Sequence, residues 1–199
     1  QDSNNGSATI IPTKLITIYM SPAVNGDGLW DTRTRDDLRL LLQHELTHIV
    51  QMDTRGSIFK FLAAVFGPTF SPNLFLPPNI VEGLAVYSET EYENGRGMGT
   101  LYEMILRTDV LEGKLRSADK TVIFPREWPA GTVPYMYGYK FIDYLAKTYG
   151  KEKLAELSHT TGRRFPFFLS GAFLKVYEKR LETLWKEWKE TLPAIYEAQ

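Results

Sequence analysis

Hydrophobic and polar positions divide the chain into segments of different period. Over residues 8–20 the β-formers Ile10, Ile11, Leu15, Ile16, Thr17, Ile18 and Tyr19 predict a strand. Asn25-Gly26-Asp27-Gly28 then marks a loop over 21–28. From Thr34 the period becomes helical. Thr34-Arg35-Asp36-Asp37 resembles a capping box, and Leu38, Leu41, Leu42, Ile49 and Val50 fall on helical spacing. This helix is expected to end between 53 and 56. Residues 57–76 read as an apolar connection with Phe59, Phe61, Phe66, Phe70 and Phe75, broken by Gly67, Pro68 and Pro72. A second helix is expected to begin at 77–79, where proline is tolerated in a first turn, and to stop at Asn94-Gly95.

The C-terminal half predicts helices over 100–111, 139–149 and 151–159, the second closed by Gly150, with an irregular stretch over 120–134. A last helix over 173–192 carries Tyr177, Leu181, Leu184, Trp188 and Leu192 on one face. The pattern predicts an α+β chain with a short N-terminal sheet and a helical C-terminal lobe. No linker or repeat divides it, so 1–199 is read as a single domain.

Composition narrows the chemistry. The 199 residues include 23 basic and 24 acidic side chains, a net charge of −1, which offers no field for nucleic acid or an anionic membrane. Cysteine is absent, which excludes disulfides, thiolate metal sites and cysteine nucleophiles. Any metal must therefore be held by His, Asp or Glu. The N-terminal Gln1-Asp2-Ser3 lacks Met and an apolar signal core, as expected of a processed chain or a piece of a longer protein. Cysteine usage does not choose a compartment; an extracytoplasmic one, periplasmic or secreted, is the expectation.

Two of the three histidines lie in His44-Glu45-Leu46-Thr47-His48. On a helix, positions four apart project from one face, so both imidazoles can reach one tetrahedral metal. Glu45 lies on the flank of that face, where a general base can reach water beside the metal. Downstream, Glu82 opens the second helix and offers a third ligand. The small residues Gly83 and Ala85 would let that helix approach the first. The plain alternative for Glu82 is a solvated first-turn carboxylate favoured by the helix dipole. His159 is not expected to ligate, and Arg163-Arg164 reads as solvated surface.

H-E-L-T-H followed by Glu82-Gly83-Leu84-Ala85 resembles the gluzincin zinc metallopeptidases, and more closely the bacterial peptidase MA-like domains. The likeness continues through Tyr135–Leu145 and Tyr149-Gly150 and spans about residues 35–150. It implies a zincin-like fold, Zn²⁺ held by His44, His48 and Glu82, Glu45 as general base, and a peptide or protein substrate. Gluzincins commonly add a late Tyr or His as oxyanion donor. Tyr135, Tyr137 and Tyr139 are candidates here, and family position favours Tyr135. Larger relatives often carry a β-propeller, a possible further domain of the full-length protein. The chain departs from thermolysin-like enzymes in the long 57–76 insertion. It also has Val86 four residues after Glu82, where those enzymes carry an acidic residue. Glu89 is a candidate for that orienting role, against a surface salt bridge.

Two other functions stand beside hydrolysis. One is a catalytically silent, zinc-stabilised domain that binds a protein partner; retention of Glu45 weighs against it. The other is a membrane-surface module built on the Phe-rich insertion, against which stand the near-zero net charge and the lack of a basic cluster there. For 57–76 itself, burial as ordinary core is preferred to an exposed lid or docking surface.

Overall fold

The computed structural model describes residues 6–19, 37–93, 95–165 and 168–196. The loop expected over 21–28 and the Thr34 capping box lie outside the described residues. Within them the chain is mostly helical with a small two-stranded antiparallel sheet, α+β in class.

The predicted strand over 8–20 is two strands. β1 (Gly6–Thr9) pairs with β2 (Leu15–Ile18), Gly6 opposite Ile18 and Thr9 opposite Leu15. Pro12 lies between them. It has no N–H to donate, so one continuous strand is disfavoured. The Thr9 hydroxyl accepts the Ile11 N–H at 3.0 Å inside the turn, and Ile10 is buried. β1 packs on α1 (Asp37–Asp53). A Cβ on Gly6 would stand 3.1 Å from both Leu41 and Glu45. The strand against the histidine helix is therefore β1.

Residues 57–76 are not a plain connection. α2 (Ser57–Phe66) is a regular helix, with no Gly or Pro inside it and Ala63 and Ala64 favouring it. It stops at Gly67, whose φ of 93° lies in the left-handed region that glycine adopts most readily. A 3₁₀ turn over Pro72–Phe75 leads into α3 (Pro78–Glu93). The preference for burying the aromatics of this segment is overturned. Phe59 is buried, but Phe61, Phe66 and Phe70 are exposed.

α4 (Thr100–Leu111) matches expectation. α5 (Thr132–Tyr149) starts seven residues before the predicted helix, because Pro134 falls in its first turn, where no N–H is missed. It is the central helix. Val133, Met136, Tyr137, Phe141, Ile142 and Leu145 are all buried. α6 (Glu152–Thr161) follows Gly150. The predicted helix over 173–192 is two helices, α7 (Leu169–Tyr177) and α8 (Leu181–Tyr196), parted where Glu178 takes a left-handed conformation at φ 60°. Tyr177 and Leu181 are four apart on either side of the break, so the apolar stripe runs through it without a change of phase. Leu184, Trp185, Trp188 and Leu192 close the core over Phe141 and Phe173.

α3 and α5 form the largest helix contact, and they touch backbone to backbone. A Cβ on Gly83 would lie 2.4 Å from the Gly138 carbonyl carbon, and one on Gly138 would lie 2.0 Å from the Asn79 oxygen. Only a residue without a side chain fits at either position. This contact sets the separation of the helices that carry Glu82 and Tyr135.

Candidate metal centre

α1 brings His44 and His48 together, one turn apart, with their Nε2 atoms 3.1 Å from each other. α3 crosses that face and sets Glu82 Oε2 3.3 Å from each nitrogen. Two donors held ~2.0–2.1 Å from one tetrahedral metal stand ~3.3 Å apart, so the three atoms already have the spacing of three tetrahedral corners. His44 and His48 are buried and Glu82 nearly so.

Left to themselves these groups are badly satisfied. Glu82 Oε2 and His48 Nδ1 are buried atoms without a hydrogen-bond partner among the described residues. Buried polar atoms are paired as a rule. An orphaned carboxylate oxygen facing two imidazole nitrogens is a cradle for a cation, and the N, N, O donor set fits a borderline-soft divalent ion. Burial pushes the Glu82 carboxyl up, but His44 and His48 outweigh it and hold the group well below the usual carboxylate range.

Glu89 settles the question left by Val86. It is 0% exposed, which overturns the surface salt-bridge alternative, and its Oε2 lies 3.0 Å from His44 Nδ1. A carboxylate there fixes the imidazole tautomer that leaves Nε2 free to ligate. Arg96 holds Glu89 in turn. Its Nε and backbone N–H donate to Glu89 Oε1 at 2.8 and 3.1 Å, and Nη2 donates to Oε2 at 3.1 Å. Arg96 Nη2 also lies 2.7 Å from His44 Nδ1. A guanidinium only donates, so Nδ1 either gives its proton to Glu89 or, bare, takes one from Arg96. The first arrangement opens Nε2 to a metal and the second closes it.

Burial pushes the His44 imidazole down, Arg96 adds to that, and Glu82 and Glu89 together raise it above its ordinary value. Burial pushes the Glu89 carboxyl up, but Arg96 and His44 bring it down to about 2.

Glu45 projects from the flank of α1 and is 5% exposed. Its Oε1 rests against Gly6 of β1, where a side chain would crowd it. Burial raises its pKa, an effect that His44 and His48 oppose and Glu82 reinforces. Of the three tyrosines, Tyr135 is brought to the histidines. Its ring stacks on His44 at 6.2 Å and 28°, and the Arg96 guanidinium lies 5.2 Å above it. Burial, then Glu82, keeps its hydroxyl protonated well above the ordinary tyrosine range. Tyr137 is spent elsewhere, donating to Asp109 and stacking on Trp185. Tyr139 packs on Gly97 and beside Lys140. His159 is exposed on α6 and is not part of the cluster.

Sequence reasoning missed Arg96. Its one signal is placement in Gly95-Arg96-Gly97-Met98-Gly99, a run that lets the backbone turn tightly after α3 and return the guanidinium to Glu89.

An uncharacterized protein of Treponema pallidum (strain Nichols) is 31% identical to this chain over 163 residues, which span 80% of this chain and 13% of that protein. No protein-family profile matches the chain, and no solved structure does.

Proposed function

We propose that this chain is a zinc-dependent peptidase of the gluzincin kind with a zincin-like fold, His44, His48 and Glu82 holding Zn²⁺. The spacing of the three donor atoms, 3.1, 3.3 and 3.3 Å, carries the proposal. Bound zinc would act as a Lewis acid and make water a nucleophile near neutral pH. Glu45 takes a proton from water and passes it to the leaving amine, and its burial brings its basicity closer to what that exchange needs. The Tyr135 hydroxyl, protonated at working pH, donates to the oxyanion. Glu89, itself held by Arg96, accepts the Nδ1 proton and so favours the His44 tautomer that can ligate.

The substrate in this reading is a peptide or protein, the setting extracytoplasmic, and a β-propeller elsewhere in the full-length protein a further part of it. A silent, zinc-stabilised domain that binds a partner has no use for a base. A buried Glu45 beside the two histidines supports hydrolysis over it.

The test pairs elemental analysis with cleavage of a peptide library. Glu45→Gln should retain zinc and lose ~10²–10⁴-fold in rate, the usual contribution of general-base catalysis. Glu82→Ala should lose most of its zinc. Equal cleavage by wild type and Glu45→Gln, or full zinc occupancy in Glu82→Ala, would overturn the assignment.

A further inference from the structure

We propose that Gln51 and Asn73 form a carboxamide relay that positions His48, as Glu89 positions His44. The inference rests on the reading of His48 as a metal ligand. It starts from buried polar atoms that the metal centre does not use. His48 Nδ1, both polar atoms of the Gln51 carboxamide and Asn73 Oδ1 are buried without a hydrogen-bond partner among the described residues. The three residues are 8%, 4% and 1% exposed. Buried polar atoms are paired as a rule, so four such atoms call for an explanation.

The helix sets two of these residues side by side. Gln51 follows His48 by three residues and His44 by seven, so all three side chains leave one face of α1. Helical side chains lean toward the helix N-terminus, which lays the Gln51 carboxamide over the turn that carries His48. Asn73 comes to the same helix from the 3₁₀ turn of the 57–76 insertion, which packs on α1. Its Nδ2 donates to the carbonyls of Gln51 at 3.0 Å, Ser158 at 3.1 Å and Thr54 at 3.4 Å. Three acceptors around one end identify that end as nitrogen, and Oδ1 is the end left over. Arg55 Nε is a further unpaired donor on this helix, but its guanidinium is committed to Asp53 and to the Pro68 carbonyl.

The four atoms are complementary. A histidine that ligates through Nε2 carries its proton on Nδ1 and donates there. Gln51 offers one acceptor, Oε1, and one donor, Nε2, and Asn73 Oδ1 accepts. His48 Nδ1–H to Gln51 Oε1, and Gln51 Nε2–H to Asn73 Oδ1, pairs all four and leaves none over. Each link closes directly by a turn of the carboxamide or through one water. A neutral relay also adds no charge to a centre that already holds Glu45, Glu82 and Glu89. In this arrangement the 57–76 insertion reaches the metal centre through Asn73 and braces its second histidine.

The test combines competition for zinc with a chelator and NMR of the histidine ring N–H protons in the zinc-loaded chain. The His48 Nδ1–H of the wild type is expected to exchange slowly with water. Gln51→Met keeps length and bulk but loses the carboxamide. It should hasten exchange at His48 alone, leave the His44 signal in place and lower zinc affinity ~10–100-fold, the usual effect of removing such a partner. Gln51→Glu keeps an acceptor and should restore slow exchange and most of the affinity. Thermal melts verify that the variants fold. If Gln51 only fills space, Gln51→Met removes two unpaired polar atoms from the interior and leaves zinc affinity and the His48 signal unchanged; that result overturns the relay alone. A wild-type His48 Nδ1–H that exchanges as fast as that of a free imidazole overturns it without any variant. A wild type that takes up no zinc overturns the metal assignment and the relay together.

Discussion

α1 and α2 are consecutive helices that break the ordinary rule of burial in opposite directions. α1 places His44, Glu45 and His48 inside the protein, where Glu82, Glu89 and Arg96 join them. α2 places Ile58, Phe61 and Val65 outside. Buried charge costs free energy unless every group is paired, and exposed apolar surface forgoes burial free energy. Around α1 several buried polar atoms lack a partner among the described residues, and two of them, Glu82 Oε2 and His48 Nδ1, belong to the proposed metal ligands. At α2 nothing in the described chain covers the stripe. The first departure is one that the proposed cation would relieve; the second leaves an apolar stripe in water among the described residues.

The contrast breaks hardest at Arg96. Arg96→Met would leave Glu89 a buried, largely unpaired carboxylate, which costs about 3–5 kcal/mol. For a chain of this size that lowers the melting temperature by roughly 10 °C. Thermal melts of the two proteins check it; a change of a degree or two would mean that the cluster is less closed than its geometry indicates. Next comes the α3–α5 contact. Gly138→Ala forces a methyl against the Asn79 carbonyl and should cost at least about 1–3 kcal/mol by overpacking. It should also weaken zinc binding, because Glu82 must move with α3. Denaturant melts and zinc titration read both effects. Glu89→Gln removes the charge but keeps the shape, so zinc affinity should fall ~10–100-fold with a smaller loss of stability. Competition with a chromophoric chelator measures it.

Much of the centre was legible because its chemistry is local. His44, Glu45 and His48 occupy one helical turn, and their spacing alone states which face each takes. Glu82 was legible once that turn was read, but Gly83, expected to let α3 approach α1, lies instead against Gly138 of α5. Arg96 was not legible, because its role depends on where the chain returns after α3, and no period records that. Tyr135 could not be separated from Tyr137 and Tyr139 by pattern. Tyr135 and Tyr139, four apart, share one side of α5, with Tyr137 on the other, and only the packing of Trp185 and Gly97 shows which two are occupied. The aromatics of α2 misled for a related reason. An apolar stripe states that a face wants to leave water, but not what it meets.

On the outer face the expected stability effects are small. Phe61→Ser should change the folding free energy by no more than about 0.5 kcal/mol, as exposed substitutions do. A large loss of stability would place Phe61 in a core and remove the contrast. The smallest effect belongs to an ion pair near the surface. Burial pushes the Glu103 carboxyl up, but Lys140 and Tyr196 outweigh it and hold the group below the ordinary range. A depressed carboxylate stabilises above its unfolded value and loses that contribution as pH falls through its folded value. Glu103 is half exposed, so solvent screens the pair. Wild type and Tyr196→Phe should differ slightly in melting temperature at neutral pH and converge in acid.

The contact of Gly83 with Gly138 also bears on the order in which the protein assembles. His44 and His48 can face one another as soon as α1 has formed, which is a local event. Glu82 reaches them only when α3 is seated, and α3 packs both on α1 and on a helix whose contact lies 55 positions further along the chain. Closing that long loop is a late and slow step compared with forming either helix. If the proposed centre holds zinc, the two histidines would capture it weakly and early during refolding, and Glu82 would complete the proposed set only after α3 docks. Stopped-flow mixing of unfolded chain with zinc and a fluorescent indicator should therefore show two phases, the slower one matching the burial of Trp185 and Trp188.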